Sequence, residues 1–243
     1  SNPRGSFPID LRDEATRQEL IRGKFRRVDE ARATNPFGVS FSYNSRGFRD
    51  REFVAKPPGA KRLVFVGDSF TEGQGVEDSA SAARLVEGLL RQREPSMEIW
   101  NLGVRGRDFP DLETLFDTAL ELSPDAVIFG MVLNDADRNP ELTAAWPRVN
   151  DWIMIREEAP SWIQRHSFLI GFAASRFRRF QVSRDTTGWY RALYLDENRD
   201  GWMRTRAALQ RIRSKCQDRG VPFGVALWPL LVGLQARGAY PFE

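Results

Sequence analysis

The chain has 243 residues, about the size of one large domain with an appendage, which argues against two equal domains. Its hydrophobic fraction of 41%, charged fraction of 28% and aromatic fraction of 12% exclude a largely disordered or collagen-like chain. The net charge of +3 gives little reason to expect nucleic-acid binding, and the single cysteine, Cys216, excludes an internal disulfide and a cysteine-based zinc site.

Residues 1–58 have the pattern of an N-terminal extension. The sequence predicts an amphipathic helix over residues 11–33, a short strand at 37–43 and a turn at 44–47. The Pro-Pro-Gly sequence at 57–59 indicates a boundary. Because the segment holds too few apolar residues for a core of its own, we expect it to be attached to the domain that follows.

Residues 59–243 alternate between strand-like and helix-like segments. Apolar runs of strand length lie at 62–66, 97–102, 126–131 and 221–228. Helical patterns lie at 79–91 and 111–122, and in a segment that begins at a predicted Asp200 cap and ends before Gly220. Buried strands that alternate with helices are typical of a parallel sheet covered by helices. The sequence therefore predicts an α/β fold, a three-layer α/β/α sandwich with a mostly parallel sheet.

A long interval, residues 139–199, interrupts this alternation and is predicted to be an insertion that is helical in parts. Residues 156–219 carry fourteen Arg or Lys against seven Asp or Glu. This excess indicates either a cationic rim for an acidic ligand or polymer, or a solvated helical surface, and the second use is the more common. The tryptophans between Trp146 and Trp189 suit either a pocket wall or packing between helices, and packing is the more common use.

The most informative motif follows the first strand of the predicted sheet and reads Gly67-Asp68-Ser69. In open parallel sheets, ligands bind at the carboxyl ends of the strands, which is where Ser69 is predicted to lie. Gly67 permits a sharp turn, Asp68 offers an acceptor for backbone N–H groups, and Ser69 is then exposed as a nucleophile. The alternative is an ordinary strand-to-helix turn in which Asp68 or Ser69 acts only as a cap.

Two further loops follow the next two strands, and each contains a candidate oxyanion donor. Gly106 offers a backbone N–H without an obstructing Cβ, and Asn134 offers a side-chain amide. Acyl transfer needs such donors where negative charge develops on the carbonyl oxygen. Alternatively, Gly106 only permits a turn and Asn134 only bridges backbone groups. No glycine-rich nucleotide loop occurs between Gly67 and Gly75, and the sequence implies no metal or organic cofactor.

These three blocks resemble those of the SGNH hydrolases, also called the GDSL esterase and lipase family. Gly67-Asp68-Ser69 resembles the first block, 101–106 the second and Asn134-Asp135 the third. The resemblance covers residues 61–138 and, more loosely, the last predicted strand. The segment 44–50 is also similar to a lead-in found before some bacterial members.

The resemblance implies a flavodoxin-like strand order, Ser69 as the nucleophile with Asp68 in support, and Gly106 and Asn134 as oxyanion donors. One difference concerns the third block. It usually reads Gly-x-Asn-Asp, whereas here Gly130 lies four residues before Asn134.

The catalytic histidine of this family has no counterpart at the expected place. Members carry Asp-x-x-His near the C-terminus, whereas the single histidine here, His166, follows Ile163 at that spacing and lies in the insertion. An unassisted serine hydroxyl is a poor nucleophile at neutral pH. Three explanations stay open: a final strand, helix and catalytic loop are absent from this sequence, the protein is a binding derivative of the fold, or His166 reaches Ser69 from an unusual direction. We expect the first, with His166 a structural or surface residue.

The predicted function is serine-dependent ester hydrolysis or acyl transfer. The predicted substrate is a small-molecule or glycan ester, of carbohydrate or lipid type. The alternatives are a catalytically incomplete binding module and a protein that binds an anionic polymer through the arginine-rich insertion. No nucleic-acid partner is expected. No apolar run is long enough to span a bilayer. The sequence opens with Ser1-Asn2, which resembles the residues left by a removed tag, so a natural signal or anchor upstream is compatible with this sequence. Neither the localisation nor the oligomeric state of the protein is predicted.

Overall fold

A computed structural model describes residues 33–34, 40–149, 162 and 166–229. The chain divides into two compact units, residues 1–135 with 206–229 and residues 136–205 with 230–243. The helix predicted over residues 11–33 lies outside the described residues apart from Ala33, which is in a strand.

A two-stranded antiparallel ribbon opens the described part of the first unit. Strand β1 (Ala33–Thr34) pairs with strand β2 (Ser40–Phe41), so the strand predicted at 37–43 is confirmed at two of its described residues. The predicted turn follows. The side-chain oxygen of Asn44 accepts hydrogen bonds from the backbone N–H groups of Arg46 and Phe48, both at 3.0 Å, and Gly47 has a φ of 79°.

Four parallel strands form the sheet of the first unit. They are β3 (Lys61–Gly67), β4 (Met97–Gly103), β5 (Ala126–Met131) and β6 (Phe223–Leu227). The order across the sheet is β4-β3-β5-β6, so β3 lies between β4 and β5. This arrangement confirms the predicted α/β fold class and the flavodoxin-like order, in which the first strand of the sheet is flanked by the second and the third.

Helices pack against this sheet, although Val225 and Leu227 of β6 are exposed. The helices of the first unit are α1 (Ser69–Glu72), α2 (Ala82–Arg91) and α3 (Asp111–Glu121). In α3, Phe116 is fully buried and contacts Phe129 of β5 and Phe223 of β6 edge-on, at ring distances of 5.8 and 5.7 Å. The helix predicted at 79–91 begins later than expected, because Asp78–Ala80 forms a 3₁₀ turn and the Ser81 side chain caps α2.

The segment between the ribbon and the sheet packs on β4 and α2. The ring of Phe53 lies 5.5 Å from Phe48 and 5.1 Å, edge-on, from the buried Trp100 of β4. Arg51 donates to both carboxylate oxygens of the buried Glu87 on α2, each at 2.9 Å. These contacts attach the segment through an apolar cluster and through an ion pair between the exposed Arg51 and the buried Glu87.

Asp50 in this segment is expected to make stability depend on pH. Burial raises its pKa from 3.8 to about 7, although its carboxylate accepts the Asn101 N–H at 2.6 Å and pairs with Arg84 at 3.1 Å. At a pH between these two pKa values, Asp50 is protonated in the folded chain and ionised in the unfolded chain. The free energy of unfolding therefore falls as pH rises, by up to about 1.4 kcal/mol per pH unit.

We therefore expect Asp50→Asn to flatten this part of the pH profile, because the amide keeps an acceptor for Asn101 and cannot ionise. Urea denaturation of both proteins between about pH 4 and 8 measures the two slopes. Equal slopes would contradict the assignment to Asp50.

The second unit consists of helices in its described part. They are α4 (Pro140–Ala145), α5 (Phe168–Ala192) and α6 (Arg199–Asp218), and α6 continues into the first unit. The buried core contains Trp189 and Leu193, with Trp146 packed against it, so these two tryptophans are used in helix packing. The predicted Asp200 cap is wrong: α6 begins at Arg199, directly after a 3₁₀ turn at Asp196–Asn198, and Asp200 lies in the first turn of the helix.

Several basic residues of the predicted cationic region form ion pairs within each unit. Arg204 pairs with Asp137 at 2.6 Å in the second unit, and in the first unit Arg211 pairs with Glu113 at 2.8 Å. Acidic neighbours thus neutralise part of the positive excess. Within the described residues, no helix combines the length and the apolar character needed to cross a membrane.

Candidate functional site

The three predicted site residues lie on loops that leave the same edge of the sheet. In the register of the strands, Gly67 of β3 is opposite Gly103 of β4 on one side and Gly130 of β5 on the other. Ser69 follows Gly67 by two residues, Gly106 follows Gly103 by three, and Asn134 follows Gly130 by four. Because β3 is flanked by the other two strands, the loop with Ser69 emerges between the loops that carry the two candidate donors.

Ser69 is the first residue of the one-turn helix α1 and is half-buried. Asp68 caps this helix, since its carboxylate accepts the N–H of Phe70 at 2.9 Å, and the Ser69 hydroxyl lies 3.4 Å from the other carboxylate oxygen. Burial raises the pKa of Asp68, and the negative charge of Glu72 adds to this, while the hydrogen bonds from Phe70 and Ser69 act in the opposite direction. Asp68 thus fixes the turn that presents Ser69.

Three glycines at the ends of the strands allow α1 to approach the sheet closely. A Cβ on Gly67 would overlap the Thr71 hydroxyl, and a Cβ on Gly103 would overlap the backbone of Thr71 and Glu72. A Cβ on Gly130 would overlap the Thr71 hydroxyl and the indole of Trp228. The row of glycines therefore forms the seat on which the serine-bearing helix lies.

Gly106 is exposed in the loop after β4 and has a φ of 70°, a left-handed conformation that favours glycine. The residue before it, Arg105, is held by the buried Glu72 of α1. One oxygen of Glu72 accepts the backbone N–H of Arg105 at 2.7 Å, and the other accepts from its guanidinium at 2.8 Å. The loop with Gly106 is thus tied to the helix with Ser69.

Asn134 is half-buried in a tight turn after β5. The next residue, Asp135, is fully buried and holds this turn, because its carboxylate accepts the N–H of Val132 at 2.7 Å. The carbonyl of Asp135 also accepts the N–H of Phe109, in the loop after β4, at 3.0 Å. These bonds link the two donor-bearing loops. Gly130, whose spacing from Asn134 differs from the family pattern, belongs to the seat for α1.

Sequence reasoning missed Trp228, which follows β6 at the same edge. Its indole N–H donates to the Thr71 hydroxyl at 3.3 Å, and its backbone N–H donates to the carbonyl of Met131 at 2.8 Å. Glu72, Arg105 and Tyr43 were missed as well. Trp228 is the last residue of the strand predicted at 221–228, so the available signal was its position at the carboxyl end of a predicted strand, where Ser69 was also sought.

His166 lies in the second unit and is exposed, in keeping with the expectation of a surface residue. Its Nδ1 lies 2.8 Å from the carbonyl oxygen of Trp162, and the two rings are 4.6 Å apart. Among the described residues, no group of three His, Cys, Asp or Glu side chains is placed to hold a metal ion.

Comparisons with known proteins found a matching family and similar solved structures. Residues 65–235 match the family described as GDSL-like lipase/acylhydrolase. The chain is similar to AlinE4, an SGNH-hydrolase family esterase, with 22% identity and a TM-score of 0.30 over 46% of this chain and 57% of AlinE4. It is also similar to the lipase/acylhydrolase from Enterococcus faecalis, with 18% identity and a TM-score of 0.28 over 67% of this chain and 74% of that one. The matched part thus spans little more than half of AlinE4, and no curated protein matches the sequence.

Proposed function

Because the chain belongs to the GDSL-like lipase/acylhydrolase family, we propose that it acts on an ester through a covalent acyl-enzyme on Ser69. The observation that carries this proposal is the position of Ser69 in the chain fold. It stands at the start of a helix seated on the sheet edge, between the loops that bear Gly106 and Asn134. The carboxyl edge of a parallel sheet is where α/β proteins bind their ligands.

In the proposed reaction, the Ser69 oxygen forms a bond to the ester carbonyl carbon, and the carbonyl oxygen becomes an oxyanion. The N–H groups of Ser69 and Gly106 and the side-chain amide of Asn134 donate hydrogen bonds to this oxygen. The carbon–oxygen bond to the alcohol then breaks, and the alcohol leaves with the proton that Ser69 lost. Water releases the acid in a hydrolase, whereas a second alcohol takes up the acyl group in a transferase. Esters of carbohydrate or lipid type both suit this chemistry.

The Ser69 proton needs an acceptor, and this chain offers two candidates. Asp68 already accepts the hydroxyl hydrogen bond, but at 3.4 Å this bond is longer than the usual range for O–H···O bonds. His166 is the single histidine of the chain, and histidine is the side chain that most often acts as a general base. Its side chain is exposed, and its Nδ1 lies 2.8 Å from the carbonyl oxygen of Trp162.

A binding module is the second candidate function, because the sequence lacks Asp-x-x-His around its only histidine. A protein without a general base keeps only the rate that binding and oxyanion donors supply, about 10³ to 10⁴ over water. Binding of an anionic polymer is less favoured, since the ion pairs of Arg204 and Arg211 occupy part of the cationic region.

The test is reaction of the full chain with a fluorophosphonate, in which the serine oxygen displaces fluoride, followed by mass spectrometry of the labelled peptide. We expect labelling at Ser69, together with cleavage of activated p-nitrophenyl esters. His166→Gln is expected to label at the wild-type rate because His166 is exposed and its Nδ1 lies against the carbonyl oxygen of Trp162. A large loss would instead identify His166 as the base. Absence of labelling under conditions that label a working esterase would favour the binding module.

A further inference from the structure

A buried carboxylate on the serine-bearing helix connects the candidate oxyanion loop with the N-terminal segment. Glu72 is 1% exposed and lies one turn after Ser69 in α1. Its oxygens accept hydrogen bonds from the Tyr43 hydroxyl at 2.7 Å, from the Arg105 backbone N–H at 2.7 Å and from the Arg105 guanidinium at 2.8 to 3.1 Å. Three donors from two segments of the chain thus converge on one carboxylate.

From this geometry we infer that Glu72, Arg105 and Tyr43 are positioning residues that hold the Gly106 N–H in register with Ser69. This inference rests on the proposed function, because it assigns Gly106 its role as an oxyanion donor. None of the three residues needs to touch the substrate. They act by fixing the distance between the nucleophile and the donor.

The covalent connection between Arg105 and Gly106 supports this role. The peptide bond between them is planar, so the Gly106 N–H is separated from the anchored Arg105 N–H by only the two soft torsions of Arg105. The guanidinium of Arg105 is bound to the same carboxylate, which restricts these torsions further. Because Glu72 and Ser69 share one helical turn, a shift of the loop relative to α1 has to break this ion pair.

The N-terminal segment strengthens the same connection from the opposite side. The ring of Phe41 lies 5.1 Å from the guanidinium of Arg105 and 5.0 Å from that of Arg49, both at cation–π distance. Arg49 is buried and donates to the carbonyls of Gly73 and Val76, just after α1, and to Asp78 at 2.8 Å. The segment that contains Phe41 and Tyr43 therefore contacts both the region of α1 and the loop after β4, and holds the two together.

The residues that make these N-terminal contacts precede the part of the chain that matches the family, residues 65–235. The family match begins at residue 65, whereas Phe41, Tyr43 and Arg49 precede it. The N-terminal segment is thereby assigned a part in the chemistry of the site in addition to its contribution to packing.

Glu72→Gln in the full chain tests the inference, because glutamine keeps the shape and one acceptor but loses the charge that binds Arg105. We expect the amide hydrogen of Arg105 to exchange about tenfold faster, measured by NMR, since a charge-assisted hydrogen bond becomes a neutral one. We also expect fluorophosphonate labelling of Ser69, and kcat for an activated ester, to fall by about 10- to 100-fold with KM unchanged. Tyr43→Phe, which removes one hydrogen bond, is expected to change both readouts in the same direction by less.

Glu87→Gln is the matched control. Glu87 is also buried and also binds an arginine of the N-terminal segment, Arg51, but it lies on α2 rather than on the serine-bearing helix. We expect this variant to lose thermal stability and to keep the wild-type labelling rate and Arg105 exchange rate. An equal loss of labelling in both variants would overturn the inference, because general destabilisation would then explain the effect.

Two further outcomes separate this inference from the proposed function. In the first outcome the wild type is labelled, and Glu72→Gln shows the same labelling rate, the same Arg105 exchange and the same kinetics as the wild type. This outcome would overturn the positioning role and leave the esterase proposal intact. Faster Arg105 exchange in Glu72→Gln, with no labelling of the wild type, would support the structural coupling while refuting the esterase proposal.

Discussion

Ser69→Ala is expected to abolish fluorophosphonate labelling and all covalent ester turnover. The variant lacks the oxygen that would form the acyl-enzyme, so only a rate of the kind that binding and oxyanion donors supply, about 10³ to 10⁴ over water, can remain. The fold should be unaffected, because the Asp68 cap is satisfied by the N–H of Phe70 and the hydroxyl of Ser69 contributes only a 3.4 Å contact. Mass spectrometry after labelling and thermal unfolding measure the two expectations.

Ser79→Ala is a suitable control for this prediction. Ser79 is exposed in the 3₁₀ turn before α2 and is close in sequence to Ser69. It should label at the wild-type rate, which would show that the reagent requires an activated position and not just an accessible serine. Ester cleavage that persists in Ser69→Ala at the wild-type rate would disprove the nucleophile assignment.

Gly103→Ala is expected to destabilise the protein by about 3 kcal/mol, because an added Cβ would overlap backbone atoms of Thr71 and Glu72. α1 would have to lift from the sheet edge, and Ser69 and Glu72 would move with it. We therefore expect labelling of Ser69 to fall even at temperatures where the variant is still folded. Denaturant unfolding and labelling rates measure the two effects separately.

Gly88→Ala is the control for this prediction, and we expect it to have the opposite effect on stability. Gly88 is exposed in α2, and a Cβ there would meet no atom within 4 Å. Alanine favours helix by up to about 1 kcal/mol relative to glycine, so this variant should be slightly more stable than the wild type and fully reactive. If Gly103→Ala and Gly88→Ala had the same stability and the same labelling rate, the row of glycines at the sheet edge would not constrain α1.

The strands of the sheet were predictable because their sequences carry a strong local signal. The runs predicted at 62–66, 97–102 and 126–131 all match strands of the structure to within one residue at each end. A strand buried on both faces needs a continuous apolar run of strand length, and such a run is visible without knowledge of its neighbours. The start of helix α2 was less predictable, because the 3₁₀ turn before it and the Ser81 cap depend on a few local hydrogen bonds.

The predicted positions of Ser69, Gly106 and Asn134 followed from the ends of those strands, together with the family resemblance. Their catalytic roles stay predictions. By contrast, the contacts of Glu72 were not predictable. Its partner Tyr43 lies 29 residues earlier and its partner Arg105 lies 33 residues later, and the local sequence contains no pattern that links side chains over such distances.

The position of Tyr43 and Asp50 relative to the family match affects how a shorter version of this protein would behave. The match begins at residue 65, inside strand β3, so a fragment cut at that point would lose the first four residues of a central strand and every contact from the preceding segment. Glu72 would lose the hydroxyl of Tyr43, and Glu87 would lose its bidentate arginine. We therefore expect a fragment limited to the residues that match the family to be less stable than the full chain.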